Sequence, residues 1–455
     1  MSEASLTHAD PVQRAEHARG VAVDMVRVLR DAGHIAYFAG GCVRDELLGE
    51  HPKDYDIATD ATPDRVGELF DGARFVGASF GVVQVRRKGV TVEIATFRTD
   101  GSYSDRRRPD EVTFSTPDED AKRRDFTINA MFLDPLADAD ISQTQGLASV
   151  RGRVIDYVDG LACLRAGLIK AVGLAEDRLA EDHLRALRAV RFAARFAFSI
   201  ETNTTKAIRD HARDLVGVSR ERVGDEVLRM LAHPGRGAAV RIIHELDLVE
   251  PVLGVAGTDS QQELVAHLPS DASAITAVAA WLIQLEHIDT TVGTPMIHST
   301  LVVGDDHEVV AQVRESLCLS NDATAGIAEL CAIVRNVLSF WERMSVAQRK
   351  RLASVGLNRS SPDMPGFAGA MQIVAAMDKA AGTDVASQIE TAVRLLASDG
   401  VGLSPDPLLT GDHLVAAGFV PGPAFKRALD EVYDGQLEGR VTSQQEALAM
   451  GSRML

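Results

Sequence analysis

Apolar residues recur at helical spacing over residues 11–32, through Val12, Ala15, Ala22, Met25, Val26 and Leu29, and Gly33 offers a stop. The pattern predicts a packing helix that leads into a strand at Ile35. A short apolar run then meets a Gly40-Gly41 turn, a brief helix over Val43 to Leu48, and a strand carrying Asp54 and Asp56. Thr62 caps a predicted helix that begins with Pro63 and runs to Phe70. Between Gly81 and Phe97, valines 83, 85, 90 and 92 read as a hairpin whose turn spans Arg86 to Gly89. Residues 99–122 are polar and lack periodicity, which predicts a mobile loop, and 134–153 reads as an extended surface loop. Leu179 to Phe198 predicts one amphipathic helix, with His183, Leu187, Val190 and Ala194 in its apolar stripe. From about Glu250 the chain is helical, Ala-rich and acidic, with loops near 254–259, 358–365 and 400–407.

The chemistry concentrates in the first half. Side chains two apart on a strand share a face, so Asp54 and Asp56 are expected side by side near a turn of bare backbone N–H groups. Two hard oxygen ligands suit Mg²⁺, and exposed N–H groups suit phosphate. Together they suggest metal-assisted transfer of a nucleotide. Glu93 stands mid-strand among apolar residues, where an acid buried without a partner is costly; a third carboxylate facing Asp54 and Asp56 across the sheet would explain it. In Arg123-Arg124-Asp125, two guanidiniums beside a carboxylate could hold a triphosphate and a ribose hydroxyl together. Asp182 and Arg185 are neighbours at i, i+3 on the predicted helix.

Composition narrows the setting. The chain has 455 residues, enough for two to four domains, and is 45% hydrophobic with 5% aromatic residues, which favours helix. A net charge of −17 rules out a global basic field, so a nucleic-acid site must be a local patch. Between Arg178 and Arg241 basic residues outnumber acidic ones, and Arg185, Arg188, Arg191 and Arg195 head a candidate phosphate-binding track. Cys42, Cys163, Cys318 and Cys331 show no paired spacing, which argues against a zinc site or a disulfide framework and fits a reducing cytoplasm. The sequence shows no signal peptide and no apolar run of membrane-spanning length.

The stretch from Ala36 to Thr59, with Gly40-Gly41, Arg44-Asp45, Leu47-Leu48-Gly49 and the Asp54-x-Asp56 pair, resembles the head signature of polymerase-beta-type nucleotidyltransferases. Within these it is similar to the bacterial (class II) tRNA CCA-adding enzyme and poly(A) polymerase family. Arg123-Arg124-Asp125-Phe126-Thr127-Ile128-Asn129-Ala130-Met131 is the most specific match. The resemblance implies an α+β head with a small mixed sheet, followed by an all-α neck, body and tail. The expected division is a head over 1–160, a neck over 161–250, a body over 251–400 and a tail over 401–455.

The resemblance also assigns roles. Asp54 and Asp56 would hold Mg²⁺, with Glu93 as the third catalytic acid in its Glu-x-x-Thr-Phe-Arg context. Gly40, Gly41, Arg44, Arg124, Asp125 and Arg188 would bind the nucleotide. Asp182 and Arg185, in Glu181-Asp182-His183-Leu184-Arg185, would read the base. Cytosine and adenine each offer an exocyclic amino donor to a carboxylate, whereas uracil and guanine present a carbonyl; such a mismatch costs roughly 1–3 kcal/mol. Arg106 and Arg108, in a loop that helps switch from C to A addition, would touch RNA, as would Arg191 and Arg195. The expected activity is addition of CCA to the tRNA 3′ end from CTP and ATP. The alternatives are a poly(A) polymerase, or an enzyme adding only CC or only A. No membrane and no protein partner are implied. Asp159 and Cys163 stand where the family more often has Gly and Asp.

Overall fold

The computed structural model describes residues 10–75, 81–100, 112–140, 142–258, 263–291 and 307–455. The chain divides into two compact units, Met1–Val218 and Ser219–Leu455.

The first unit opens with α1 (Pro11–Asp31), capped by the Asp10 side chain. There follow β1 (Ala36–Ala39), α2 (Gly41–Leu47), β2 (Asp56–Thr59), α3 (Pro63–Leu69), β3 (Arg74–Phe75), β4 (Val82–Arg87) and β5 (Val90–Thr96). Then come β6 (Arg98–Asp100), β7 (Val112–Phe114), α4 (Pro117–Lys122), β8 (Phe132–Asp134), β9 (Arg153–Ile155), α5 (Gly160–Ala166) and β10 (Leu168–Ile169). The unit closes with α6 (Ala175–Glu181), α7 (Arg185–Phe196), β11 (Ser199–Ile200), α8 (Thr202–Asp210) and a 3-10 turn over Ala212–Gly217.

Among the described residues the main sheet has the order β3-β4-β5-β2-β1-β8-β9. It is mixed: β2 and β5 are parallel, and the other neighbours are antiparallel. Met25, Val26 and Leu29 of α1 are fully buried, as are Phe38, Ile57 and Ile94 of the strands. On the other face Ala39, Ala58, Phe97 and Phe132 form a core with Ala121 and Ala130, and the Phe97 and Phe132 rings meet edge to face at 5.7 Å. Alternation along the strands therefore puts Asp56 and Glu93 on the face of Ala58, away from Ile57 and Ile94.

The sequence expectations need four amendments here. Asp54 precedes β2, which begins at Asp56, so the two acids do not share one strand. The loop expected over 99–122 is bounded by β6 and β7, and α4 occupies its end. The 134–153 segment is tied down: Ala148 N–H donates to the Leu47 carbonyl, Arg165 reaches the Gln145 carbonyl, and Thr144 and Val150 are buried. The helix expected over Leu179 to Phe198 is two helices, broken at Asp182.

The second unit is helical: α9 (Arg220–Leu231), α10 (Arg236–Glu245), α11 (Val249–Leu253), α12 (Leu264–His267), α13 (Ala274–Gln284), α14 (His307–Leu317), α15 (Asn321–Phe340) and α16 (Val346–Ala353). It continues with α17 (Gly366–Ala381), α18 (Val385–Ala397), α19 (Gly411–Ala416), α20 (Pro423–Leu437) and α21 (Gln444–Ser452). Helix α15 packs between α13 and α17. Contrary to the sequence reading, Asn321–Arg343 is long and apolar enough to cross a membrane. Its apolarity is explained by core packing, since most of its apolar stretch is buried and Arg335 and Asn336 are buried with it. Near the C-terminus Leu409, Leu414, Val432, Val441 and Ala447 form a separate small core.

Candidate active site

A cleft of about 560 Å³ opens in the first unit. Of the residues singled out from sequence, Gly40, Gly41, Arg44, Asp56, Arg124, Asp125, Asp182, Arg185, Arg188, Arg191 and Arg195 all line it. They come from segments more than a hundred residues apart.

The turn after β1 forms one wall. Gly40 has φ +73°, and a Cβ there would lie 3.0 Å from Arg124 Nη1. Only glycine takes this backbone shape without strain and leaves that guanidinium its place. Gly40 N–H donates to the Met131 carbonyl at 3.2 Å, which ties the turn to the start of the neighbouring strand β8.

The acids come next. The β2–β5 register pairs Asp56 with Glu93, so their side chains emerge side by side on one face. Glu93 accepts a hydrogen bond from Gln84 at 2.9 Å across the hairpin. Asp56 keeps solvent access, yet enough protein crowds it to push its carboxyl up to about 6. Desolvation is the largest cause, the negative charge of Glu93 follows, and Asp54 adds to it, while Arg124 works in the opposite direction. Asp54 itself is exposed, just before the strand.

The arginines are held by carboxylates. Asp120, 1% exposed, takes Arg123 through Nε and Nη2 at 2.9 and 2.6 Å on one oxygen. Its other oxygen takes Arg124 through Nε and Nη2 at 3.0 and 2.9 Å. Burial acts to raise the Asp120 pKa, but the two guanidiniums outweigh it and hold the carboxyl below the usual range. Asp125 receives Arg188 through Nε and Nη2 at 2.9 and 2.6 Å, along with Asn129 Nδ2 and the Phe126 N–H. There too the paired groups overcome desolvation and lower the pKa. Arg44, 4% exposed, bonds Asp45 and the Asn129 side chain. Asp45 also reaches Arg195 at 3.2 Å. The Phe192 ring lies beneath Arg44, Arg188 and Arg191, at 5.2, 5.5 and 4.4 Å.

Asp182 occupies the break between α6 and α7, with φ −153° and ψ 101°, and its Oδ1 accepts the Leu184 N–H at 3.1 Å. A short acid that bonds nearby backbone competes with helix, which accounts for the interruption. Arg185 pairs with Glu181 at i, i+4 and with the Arg178 carbonyl, both at 2.6 Å. The expected i, i+3 pairing on one helix is therefore replaced by two cleft-lining groups, Asp182 in the bend and Arg185 at the start of α7. Arg191 and Arg195, expected at RNA, lie in the same cleft as the expected nucleotide ligands. Arg106 and Arg108 lie outside the described residues.

Sequence reasoning missed Asp120, Asp45, Arg98 and Phe192 as parts of this site. Two carried a local signal: Asp120 stands three and four residues before Arg123 and Arg124 on a helix with a capping box, and Asp45 directly follows Arg44.

A glycine turn, adjacent strand acids and an arginine-lined cleft beside a mixed sheet define a nucleotidyltransferase head. A family model described as the Poly A polymerase head domain matches residues 36–170, and one described as the probable RNA and SrmB-binding site of polymerase A matches 197–255. The CCA-adding enzyme of Lactiplantibacillus plantarum is 32% identical over 438 residues, covering 95% of each chain. That of Lactobacillus johnsonii is 40% identical over 265 residues, covering 58% of this chain but 62% of that protein, so the match spans under two thirds of it. The crystal structure of the Bacillus stearothermophilus CCA-adding enzyme in complex with CTP aligns over 98% of both chains, at 26% identity and TM-score 0.71. The chain belongs to the CCA-adding enzyme family.

Proposed function

We propose that the protein adds CMP, CMP and then AMP to the 3′ end of tRNA, from CTP and ATP, without a nucleic-acid template, in the cytoplasm. The observation that carries this reading is the pairing of Asp56 with Glu93 on adjacent strands, with Asp56 lining a cleft that also holds Asp182 and Arg185. The tRNA 3′ hydroxyl gives up its proton to solvent as its oxygen bonds the α-phosphorus, the bond from that phosphorus to the bridging oxygen of the β-phosphate breaks, and pyrophosphate leaves. Arg44, Arg124 and Arg188, with the Gly40-Gly41 turn, hold the triphosphate in line for that exchange. Asp125 sits between Arg188 and Asn129, where a ribose hydroxyl can join its network. Asp182 and Arg185 present an acceptor and a donor to the base edge, which favours C and A over U and G.

The site suits a divalent ion. The Asp56 carboxyl is pushed up first by desolvation and then by the negative charges of Glu93 and Asp54, and a cation there would relieve that repulsion. Asp54 and Asp56 are hard oxygen donors of the kind Mg²⁺ prefers. Mg²⁺ bound there would supply charge neutralisation at the attacking and leaving oxygens. Glu93 orients the 3′ hydroxyl beside Asp56. We further read the chain as a head over 1–160, a neck over 161–250, and a body (251–400) and tail (401–455) that grip tRNA by shape and phosphate, with Arg191 and Arg195 in the cleft, and Arg106 and Arg108, as contacts to RNA.

The test is to incubate the purified chain with tRNA ending at the discriminator base, supply CTP and ATP, and sequence the product ends. Products ending in a single CCA are expected. Continued growth from ATP alone would refute the reading and identify a poly(A) polymerase.

A further inference from the structure

We propose that His183, His211 and Asp214 form a second metal site, separate from the acids of the cleft and suited to a borderline transition-metal ion such as Zn²⁺. The three residues come from different places in the first unit. His183 is in the link between α6 and α7, His211 ends α8, and Asp214 lies in the 3-10 turn that follows. One ligand atom from each lies within 4.8 Å of the others, and among the described residues this is the group of three so disposed. The centroids of the two imidazole rings are 5.6 Å apart, with 33° between the ring planes. His211 Nδ1 and Asp214 Oδ2 are 2.8 Å apart.

Two imidazoles and one carboxylate are a zinc donor set, with bonds of about 2.0–2.2 Å and a fourth position open to water. In a tetrahedral shell with those bonds, donors stand about 3.3 Å apart. Closing the group from its present spacing asks for shifts of about 1 Å, within the reach of side-chain rotation. Donor chemistry sorts the ions: the oxygen-only acids of the cleft suit Mg²⁺, while imidazole nitrogen suits Zn²⁺. The cysteine pattern argued against zinc, but it carried no information about these histidines, which lie 28 positions apart and meet through the fold.

The position also has a consequence. His183 is 4% exposed and directly follows Asp182 at the bend between the helices. An ion joining His183 to His211 and Asp214 would fasten that bend. This consequence, unlike the site itself, rests on the base-reading role of Asp182.

The test uses the full chain without an affinity tag, in excess Mg²⁺, titrated with Co²⁺ and read by the visible absorption of four-coordinate cobalt. One saturable equivalent, displaced by Zn²⁺, is expected. His211→Asn and Asp214→Asn alter partly exposed side chains (30% and 44%) and should each weaken binding about tenfold or more. These two decide the matter even if His183→Gln fails to fold. Asp56→Asn should leave the cobalt signal intact. The proposal is overturned by absence of saturable binding, by binding indifferent to both variants, which would leave an ordinary His–Asp pair, or by loss of the signal in Asp56→Asn. If binding holds while misincorporation of UTP is the same with and without Zn²⁺, the site stands and only the link to base choice fails.

Discussion

Asp56→Asn should make the metal-free protein more stable while abolishing turnover. The wild-type carboxyl is pushed from 3.8 up to about 6, mainly by burial and then by Glu93. Because its folded-state pKa is raised, folding favours the protonated form. Below pH 3.8 the group is protonated in both states and costs nothing; the cost grows as pH rises through about 6 and is complete above it. A shift of that size corresponds to about 3 kcal/mol without screening. Asp56 is solvent-accessible, so screening should reduce this to about 1 kcal/mol. For a unit of this size that is roughly 2–4 °C in the melting midpoint. Thermal melts of both proteins in chelator, at pH 8 and pH 5, measure it: the variant should melt higher at pH 8, and the gap should shrink at pH 5. Mg²⁺ should then reverse the order, since a ligand at 100 times its Kd stabilises the wild type by about 2.7 kcal/mol and a damaged site gains less. A variant less stable than wild type in chelator at pH 8, or a gap that ignores pH, would refute the reasoning.

Asp54→Ala should abolish nucleotide incorporation while leaving tRNA binding within about twofold, as read by a filter-binding assay beside turnover; near-wild-type turnover would remove Asp54 from the site. Asp120→Asn should cost about 2–3 kcal/mol of stability, toward the lower end for breaking a buried ion pair, because Asn keeps an acceptor. It should also raise the KM for CTP and ATP on the order of tenfold by freeing Arg123 and Arg124. The low pKa of Asp120 places its stabilising contribution above the unfolded carboxyl value and removes it as pH falls further, so the variant and wild type should converge in strong acid. Asp182→Ala should admit UTP or GTP in a four-nucleotide competition, and unchanged selectivity would count against its contact with the base.

The parts legible in the sequence were those whose chemistry is local. The Gly40-Gly41 turn, the Asp54-x-Asp56 pair and the Arg123-Arg124-Asp125 run each lie within a few residues, and the cleft gathers members of all three or places them at its edge. What local pattern cannot supply is the partner that fixes an arginine. Asp125 holds Arg188 from 63 positions away, and Asp45 holds Arg195 from 150. Nor does composition reveal the break at Asp182, because Leu179 to Phe198 has helix-forming residues throughout and the interruption comes from one side chain bonding the Leu184 N–H. The pairing of Asp56 with Glu93 depends on a parallel register reached through α3 and the β3–β4 hairpin, a long-range choice that alternation alone leaves open.

The charge of the cleft shows why those pairings matter. Eight arginines and three aspartates line it, in a chain whose net charge is −17. A polyanionic nucleotide is drawn to this local reversal of sign, not to the protein as a whole. Left unpaired, so many guanidiniums would repel one another and disperse. Asp120, Asp125 and Asp45 hold them at set positions with bidentate or buried bonds, and the aromatic face of Phe192 supports three of them. Each holding acid also cancels part of the charge that phosphate would feel. Asp120 is 1% exposed and is not among the residues that line the cleft, whereas the two arginines it holds both line it. Replacing a holding acid therefore exchanges order for charge. Because in-line transfer depends on placement more than on attraction, the loss of order should prevail.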